Sequence, residues 1–550
     1  MKGICNLKIS RMSAILVVMK SRNTFPVLFI FFCQTLIAQP QAKIWDKNFG
    51  GLQVEIPAWI EQLPDSGYLI LSGSTSGSGY DKTDPNRGLT GSGNDYWLIR
   101  LDKDGNKVWD KTYGGSGNDA PASFVILPDG YVLAGTSSSN PGSEKSDTLR
   151  GVTDFWVIKV DTGGNKIWDK TIGGPLMDQL NGIVLTTDNY LMLAGWTLSG
   201  SGGDKVSPSL GDFDYWLVKL DTAGNFIFEK TIGGLLGDNC YALTATTDGG
   251  AILTGYSNSP ISFNKTQSPR GGFDFWAVRV DSLGRKVWDK TYGGSGDDYS
   301  FCISKFLGVS GGYLLGGDSF SGVGNEKTEP SRGADDYWMI RINESGALLW
   351  DHTYGGSDYD ELNRITVDRY GEILLSGESY SSAGPDKSEN NLGAEQIWMI
   401  KTDSSGNRNW DKVFFSNGHD EYTQAIQTID DCYTGLTFTL ADTGGYRSFN
   451  NIGGGDLWLT KLCFSGTGLD DLVNSRRLTI APNPANDFIR LTGWESFPVL
   501  LSVYNGSGAC ILNKTVDASE IYINTSKLEA GLYLVVVQGS TVESIKFIKK

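Results

Sequence analysis

The stretch DYWLIRLDKDGNKVWDKTYGG, residues 95–115, decides the fold of this chain. Two tryptophans flank its turn, and runs rich in Val, Ile, Tyr and Trp beside a Gly-containing turn predict a β-hairpin. Copies of the hairpin follow one another at steps of 59–62 residues. Its first Trp occurs as Trp97, Trp156, Trp216, Trp276, Trp338, Trp398 and Trp458, and its second aromatic as Trp45, Trp109, Trp168, Phe228, Trp288, Trp350 and Trp410.

Each repeat predicts four strands. In the second repeat the strand-like runs are residues 120–127, 131–135, 154–161 and 166–172, with a Gly- and Ser-rich loop at 136–153. A repeat near 60 residues that contains four strands is typical of one blade of a β-propeller.

The repeats begin and end with half a hairpin. Residues 43–47 form a second half and residues 456–461 form a first half, and neither has a local partner. Because an unpaired strand exposes a row of backbone donors and acceptors, we expect the two halves to pair. The sequence therefore predicts an all-β fold with a seven-bladed β-propeller over residues 43–465. The N-terminal strand closes it as the outermost strand of the last blade.

The hairpin sequence also predicts which side chains meet. Residues 102–106 suit a type I turn with a left-handed glycine, at the cost of a bulge. If the first and last of these residues pair, Trp97 and Trp109 share one face of the hairpin. The base three residues after the first Trp, Arg100, is then expected to form a salt bridge with the acid after the second aromatic, Asp110.

The loops between the second and third strands repeat as well, and all of them are expected on one face of the propeller. We weigh two interpretations of their basic residues. Each Lys is tied to a neighbouring blade as a brace, or the loops form a face that binds a ligand. The candidate ligand-binding residues are Lys82, Arg87, Lys145, Arg150, Lys205, Lys265, Arg270, Lys327, Arg332 and Lys387.

Acidic residues recur at the connections between blades. A ring of carboxylates at the mouth of a central channel is able to hold a cation, although capping of turns is the more ordinary role. The candidates are Asp119, Asp178, Asp238, Asp298, Asp358 and Asp420. The two histidines, His352 and His419, are far apart in sequence, so the sequence predicts neither a zinc site nor a catalytic triad, and no cofactor.

Charge and composition exclude one class of partner. The chain has 63 acids against 47 bases, for a net charge of −16. A nucleic-acid partner is excluded, since phosphate binding needs clustered Lys and Arg.

An apolar run at residues 25–38 follows Lys20 and Arg22 and ends at a small residue. It predicts a signal peptide over residues 1–38, export to the periplasm, and no later transmembrane span. Five cysteines follow it, and buried free thiols are expected, with one disulfide left open.

The repeat motif WDKTYGGSGDDY at residues 288–299, with DYWMIRI at 336–342, resembles the SBBP-type β-propeller repeats of secreted bacterial proteins. The resemblance implies a propeller and leaves function open.

The C-terminal residues 477–550 differ in pattern, and residues 466–476 are predicted to be a linker. The matching pieces are PNP at 482–484, YNGSG at 504–508, LEAGLY at 528–533 and the basic tail. They resemble the type A sorting domain of the type IX secretion system of Bacteroidota. This resemblance implies a small Ig-like β-sandwich, contact with the secretion machinery, and release or attachment at the cell surface.

Two functional hypotheses follow. The first is a non-catalytic surface or secreted protein that binds polysaccharide or protein through one loop face. The alternative is a polysaccharide-degrading hydrolase or lyase with its site at the central channel. The near-perfect repeat favours the first, because catalysis needs unlike groups at one place.

Overall fold

The computed structural model describes residues 13–17, 29–33, 42–88, 93–306, 311–368, 371–391, 393–463, 479–481, 485–492, 499–505, 510–518, 520–538 and 542–550. All regular elements in these ranges are β-strands. None of the described segments is a helix capable of spanning a membrane. The chain divides into one unit at Ala42–Cys463 and a second that comprises Met1–Gln41 and Phe464–Lys550.

The first unit consists of seven four-stranded antiparallel sheets. In chain order the strands are β3 (Ala42–Phe49), β4 (Glu55–Gln62), β5 (Tyr68–Ser74), β6 (Asp95–Leu101), β7 (Lys107–Tyr113), β8 (Asp119–Leu127), β9 (Gly130–Ser137), β10 (Asp154–Val160), β11 (Lys166–Ile172), β12 (Asp178–Leu185), β13 (Tyr190–Thr197), β14 (Asp214–Asp221), β15 (Phe226–Ile232), β16 (Asp238–Ala245), β17 (Ala251–Ser257), β18 (Asp274–Val280), β19 (Lys286–Tyr292), β20 (Asp298–Lys305), β21 (Tyr313–Ser319), β22 (Asp336–Ile342), β23 (Leu348–Tyr354), β24 (Asp360–Val367), β25 (Ile373–Ser379), β26 (Gln396–Thr402), β27 (Arg408–Phe414), β28 (Asp420–Gln427), β29 (Tyr433–Thr439) and β30 (Asp456–Cys463).

The sheets form a ring, as in a β-propeller. The first strand of each sheet contacts the first strand of the next, and β28 contacts β4, which joins the last sheet to the first. These first strands are therefore innermost and line a central cavity of about 750 Å³. We number the blades from β4–β7 as blade 1.

The N-terminal strand completes the last blade. The strand order there is β28-β29-β30-β3, and in the register Trp45 lies opposite Lys461 and Asp46 opposite Thr460. This is the pairing expected from the split hairpin, with β3 as the outermost strand.

A bulge in the hairpin reverses the expected faces of the tryptophans. The turn forms as predicted, with Asp102 N–H donating to Asn106 O and Gly105 at φ 75°. The register nevertheless shifts between Arg100 and Leu101, so Arg100 lies opposite Trp109 and Trp97 lies opposite Thr112. A shift of one residue moves every later side chain to the other face. The prediction that Trp97 and Trp109 share a face was therefore wrong.

The two Trp columns consequently have different roles. Trp97 is fully buried, and its indole Nε1 donates to Asp110 Oδ2 at 3.0 Å. Trp109 is half-buried and packs on the turn of the next blade, where a Cβ at Gly164 would lie 3.0 Å from its Cζ3. Glycine is required there both by this contact and by its φ of 78°.

The predicted salt bridge between Arg100 and Asp110 does not form. Arg100 pairs instead with Asp65, in the turn between the first and second strands. The same pairing recurs in five other blades, as in Lys159 with Asp129 at 2.7 Å, whereas Arg341 donates to the Gly311 carbonyl. The bulge is the reason, since it places Arg100 on the face opposite Asp110.

One disulfide lies beside the closing hairpin. Cys432, just before β29, is bonded to Cys463 at the end of β30. Cys240 and Cys302 are free and buried, as expected.

The second unit contains a two-sheet sandwich. Its strands are β31 (Thr479–Ala481), β32 (Phe488–Thr492), β33 (Val499–Tyr504), β34 (Cys510–Val516), β35 (Glu520–Asn524), β36 (Gly531–Gln538) and β37 (Val542–Lys549). The sheets have the orders β31-β32-β35 and β34-β33-β36-β37. They share one apolar core that includes Ile489, Val503 and Phe547.

Several predicted segments lie outside the described residues. These are the linker at 466–476, the PNP piece at 482–484 and most of the YNGSG piece. Within the predicted signal peptide only β1 (Ser13–Val17) and β2 (Phe29–Cys33) are described, and they pair antiparallel. The signal peptide stays a prediction.

Candidate ligand-binding face

We call one end of the propeller the top face. It is the end at which the first strand of each blade begins. It carries the loops between second and third strands and the connections from each fourth strand to the next blade. The repeated loop residues singled out in the sequence all lie at this end.

The six loop lysines are interior residues. Lys82, Lys145, Lys205, Lys265, Lys327 and Lys387 are each 1% exposed. Lys327 Nζ donates to Thr353 Oγ1 at 2.8 Å and lies 5.2 Å from the ring centroid of Trp338, both in its own blade. Burial lowers the pKa of Lys327 to about 8. This corrects the expectation of ligand-binding lysines, since side chains enclosed in this way cannot reach a ligand in solvent.

The tie between blades is made by the loop arginines rather than by the lysines. Arg87 Nε lies 2.6 Å from Glu144 in the loop of the next blade. The same link recurs at Arg150 with Asp204 (3.0 Å), Arg270 with Glu326 (2.6 Å) and Arg332 with Asp386 (2.7 Å). These arginines are partly exposed, but their guanidinium groups already bind carboxylates. The brace therefore exists, with Arg and not Lys crossing between blades.

The recurrent acids do not ring an open channel mouth. Asp119 is fully buried, and its Oδ2 accepts the Gly115 N–H at 2.8 Å. Asp178, Asp238, Asp298 and Asp420 are buried and cap the same turn in their blades. The expectation was wrong at Asp358, which is exposed in the turn, because Asp360 occupies the equivalent position and accepts Gly356 N–H at 2.7 Å.

Several of these buried acids, such as Asp119, face a second acid across the blade boundary, whereas Asp420 lies at a boundary where Gln396 begins the third strand. Asp95, at the start of a third strand, is 1% exposed, and its Oδ1 has no hydrogen-bond partner. Burial, opposed by the Arg87 N–H and reinforced by the neighbouring Asp119, raises the pKa of Asp95 to about 7. A Cβ at Gly114 would lie 1.9 Å from Asp95 Oδ1, which explains the recurrent Gly-Gly pair.

Three other positions on the top face vary between blades. They are the second residue of the first strand, the second-last residue of the second strand and the residue before the third strand. Together they lie at the top-face ends of the first three strands of each blade, and we call them the variable ring. Its members in blades 3 to 7 are Gln179, Trp196, Phe213, Asn239, Tyr256, Phe273, Tyr299, Asp318, Asp335, Glu361, Glu378, Glu395, Glu421, Phe438 and Gly455.

One arc of the variable ring is aromatic. Tyr256, Phe273 and Tyr299 meet across the boundary of blades 4 and 5, with ring centroids 4.8 to 5.8 Å apart. The neighbouring boundary holds Trp196 against Phe213 at 5.0 Å. All five side chains are half-buried, so one face of the cluster is open to a ligand.

The next arc carries six carboxyl groups at the boundaries of blades 5, 6 and 7. Asp318, Asp335, Glu378 and Glu395 are no more than 5% exposed, while Glu361 is exposed. Burial and the neighbouring Glu361 raise the pKa of Asp335 to about 7. Burial also raises the pKa of Asp318 and Glu378 well above the ordinary range. Of the six carboxyls, those of the exposed Glu361 and the half-buried Glu421 are within reach of a ligand in solvent.

Backbone strain lies at the same place. Tyr422 has a φ of 55°, a left-handed conformation that is uncommon for a bulky residue. Its N–H donates to Glu378, and the ladder between β28 and β29 shifts register from Glu421 to Gln424. Such strain clusters at functional sites.

His419 joins this arc, which the sequence did not indicate. Its Nε2 lies 3.3 Å from Glu395 Oε2 and also contacts Glu421 Oε1. Among the described residues these three form the single group of His, Cys, Asp or Glu whose ligand atoms are close enough for one metal ion. The other histidine, His352, binds Glu329 and the Ser405 carbonyl on an outer strand.

The sequence did contain a signal for the variable ring. Asp begins most of the first and third strands, whereas the adjacent ring positions change from aliphatic to aromatic to acidic. The repeated residues form the buried scaffold, and the residues that change beside them form the variable ring.

Comparison with known proteins identifies the C-terminal region. Residues 479–550 match the family described as the secretion system C-terminal sorting domain. This match implies export by the type IX secretion system to the cell surface or to the medium.

Relatives of the repeat region are distant. The regulatory protein FlaEY of Caulobacter vibrioides is 23% identical over 277 residues, which cover 46% of this chain and 29% of that protein. An uncharacterised WD repeat-containing protein of Acanthamoeba polyphaga mimivirus is 23% identical over 174 residues, which cover 30% of this chain and 12% of that protein. The chain spans less than a third of the length of either relative.

Similar solved structures include PorZ, a surface component of the type IX secretion system of Porphyromonas gingivalis. It is 11% identical, with a TM-score of 0.35, and the match covers 95% of this chain and 61% of PorZ. BamB from Moraxella catarrhalis is 13% identical, with a TM-score of 0.35, over 77% of this chain and 99% of BamB. Likeness at this level carries no argument about function.

Proposed function

We propose that this protein is an exported, non-catalytic propeller that binds polysaccharide across the variable ring of its top face. Export rests on the C-terminal sorting domain. The ligand-binding role rests on one observation. On a nearly symmetric scaffold, the three variable-ring positions of each blade are aromatic along one arc and acidic along the next.

The chemistry of the two arcs suits a sugar polymer. Half-buried aromatic rings such as Tyr256, Phe273 and Tyr299 offer flat apolar surfaces for the faces of sugar rings. Carboxyl groups such as Glu361 and Glu421 accept hydrogen bonds from hydroxyls. The arcs are adjacent on one ring, so a chain of several sugars is able to engage both.

The rest of the top face supports an interaction surface. Its loops expose apolar side chains that include Val206 (80%), Tyr80 (69%) and Phe263 (64%). These side chains come from loops of three different blades, so each adds apolar surface to the same face. A protein ligand on the same face is the other outcome that the experiment below distinguishes.

An enzyme with its site at the central channel is the alternative function. The channel lining combines apolar residues such as Ile183 with acids such as Glu61 and Asp368. Its arginine, Arg364, donates to the Ile60 carbonyl and pairs with Glu61 at 2.9 Å. These contacts suit a bracing role, and hydrolysis or elimination would need an acid and a base at one place.

The test is a glycan array probed with the labelled exported chain and two ring variants, Phe273→Ala and Tyr299→Ala. We expect wild-type binding to a subset of glycans and a loss of about 10-fold or more in each variant, equivalent to about 1.4 kcal/mol. The matched control is Phe226→Ala, which removes a 46% exposed aromatic at the start of a fourth strand, away from the top face, and is expected to bind as wild type.

Three results would contradict the proposal. Equal binding by the ring variants would move the site elsewhere. Binding to no glycan would favour a protein ligand. Release of new reducing or unsaturated ends from a bound polymer would establish the enzyme instead.

A further inference from the structure

Glu395, His419 and Glu421 bring together ligand atoms from two blades. Glu395 precedes β26 in blade 6, whereas His419 and Glu421 flank the first residue of β28 in blade 7. One ligand atom from each lies within 4.8 Å of the other two. The side chains are buried at Glu395 and half-buried at the other two, so the group is open toward the top face.

One of the three pairs of ligand atoms has the spacing of a small divalent ion's ligands, while His419 Nε2 and Glu421 Oε1 are in direct contact. Zinc binds His nitrogen and carboxylate oxygen at about 2.0–2.2 Å, so two ligand atoms of a tetrahedral site lie about 3.3 Å apart. The distance from His419 Nε2 to Glu395 Oε2 is 3.3 Å. One imidazole and two carboxylates supply three ligands and leave a fourth position free, as in open zinc sites.

Glu395 is also held in place by a neighbour. Tyr380 Oη donates to Glu395 Oε2 at 2.8 Å. Hydrogen bonds of this kind orient ligating carboxylates and are part of most metal sites.

The side chains around the group are mainly acidic, which favours the binding of a cation. Within the described residues, no Lys or Arg forms an ion pair with any of the six carboxyls of the acidic arc. Asp335, in the same arc, is 3% exposed, and its Oδ1 is buried without a hydrogen-bond partner. Asp335 lies among Asp318 and Glu361, which in turn face Glu378 and Glu421. An ionised carboxyl that is buried within an excess of acids is costly, and either protonation or a bound cation removes that cost.

We propose that Glu395, His419 and Glu421 bind one divalent transition-metal ion, with Zn²⁺ as the best fit to the ligand set. Imidazole selects zinc over calcium or magnesium, which prefer oxygen ligands alone. The ion would neutralise part of the acidic arc and present an open coordination position on the top face. The proposal stands independently of polysaccharide binding.

The experiment uses the exported chain after treatment with a chelator. Zn²⁺ binding is measured by titration calorimetry and by metal content after dialysis, and Co²⁺ is added to record its visible absorption. The ligand variants are Glu395→Gln, His419→Gln and Glu421→Gln, which keep the shape of the side chains or nearly so. The matched controls are Glu361→Gln, in the acidic arc, and His352→Gln, on an outer strand.

We expect one Zn²⁺ per chain and a Co²⁺ spectrum typical of four-coordination. Each ligand variant should bind at least about 100-fold more weakly, while both controls bind as wild type. The near-ultraviolet circular dichroism of every variant checks that it is folded.

The proposal is overturned if the wild-type chain takes up no Zn²⁺, or if His419→Gln retains wild-type affinity. Equal loss in Glu361→Gln, or a preference for Ca²⁺ unaffected by His419→Gln, would show diffuse attraction to acids and would also overturn it. No glycan is needed for any of these measurements, so their result is separate from that of the array.

Discussion

Replacing Asp46 with alanine tests whether the N-terminal strand closes the propeller. The Asp46 carboxylate accepts hydrogen bonds from the Trp458 indole Nε1 at 3.2 Å and from the Ser448 N–H at 2.7 Å. Lys43 Nζ lies 2.8 Å from the same carboxylate. Trp458 and Ser448 belong to the last blade and Asp46 to its N-terminal strand, so these bonds exist only if the ring is closed.

The cost follows from the groups left behind. A buried donor without an acceptor costs about 1–3 kcal/mol, and the Trp458 indole is such a donor, whereas Ser448 is exposed. The partly exposed pair with Lys43 adds at most about 1 kcal/mol. We expect Asp46→Ala to lower the free energy of unfolding by about 2–4 kcal/mol. Asp169→Ala is the matched control, because Asp169 makes the same bonds to Trp156 and Ser146 inside a contiguous blade.

The assay is urea unfolding followed by Trp fluorescence, repeated as a function of pH. Burial raises the pKa of Asp46, but hydrogen bonds from Lys43 and Ser448 outweigh it and hold the pKa below the ordinary 3.8. A depressed pKa stabilises the fold above the ordinary value, and this stability is lost as pH falls through the folded-state pKa. The difference between wild type and Asp46→Ala should therefore shrink below about pH 4. If Asp169→Ala lowers the free energy of unfolding while Asp46→Ala leaves it unchanged, closure of the ring by this strand is refuted.

Three further outcomes are expected. Burial raises the pKa of Asp95 to about 7. Protonated Asp95 therefore contributes its full share of the folding free energy near pH 4, and that contribution is lost as pH rises through 7. At pH 8, Asp95→Asn should be more stable than wild type by up to about 4 kcal/mol in thermal unfolding. Gly114→Ala, whose Cβ would lie 1.9 Å from Asp95 Oδ1, should destabilise by at least about 2–3 kcal/mol in urea unfolding, whereas Gly200→Ala, with nothing within 4 Å, should change stability by less than about 0.5 kcal/mol. Replacing Cys432 and Cys463 with serine should cost about 3–4 kcal/mol for a loop of 31 residues, match the effect of reductant on wild type and make the variant insensitive to reductant.

Local features of the hairpin were predictable only up to the bulge. The turn around Gly105 follows from its residues. The bulge at Val108, the extra residue between Lys107 and Trp109, depends instead on how the strand is bent in the sheet. That single residue exchanges the two faces. As a result, Arg100 forms an ion pair with Asp65, and Asp110 accepts a hydrogen bond from the indole of Trp97.

The lysines illustrate the second limit. A Lys repeated in six loops suggests a surface charge, yet all six are buried, and five of them, including Lys82, lie over the Trp ring of their own blade. Sequence patterns report that such a residue is needed in every blade. They do not report the depth at which the loop folds back over the sheet.

The sequence by itself determined the repeat, its four strands, the split hairpin that closes the ring and the C-terminal sorting domain, because each of these is written in local periodicity or in contiguous motifs. The tertiary structure alone decided the site. The variable ring takes its members from three separate strands or loops in each blade, and Glu395 meets His419 and Glu421 only across a blade boundary. Such juxtapositions depend on how neighbouring sheets pack around the axis, and no spacing along the chain encodes that contact.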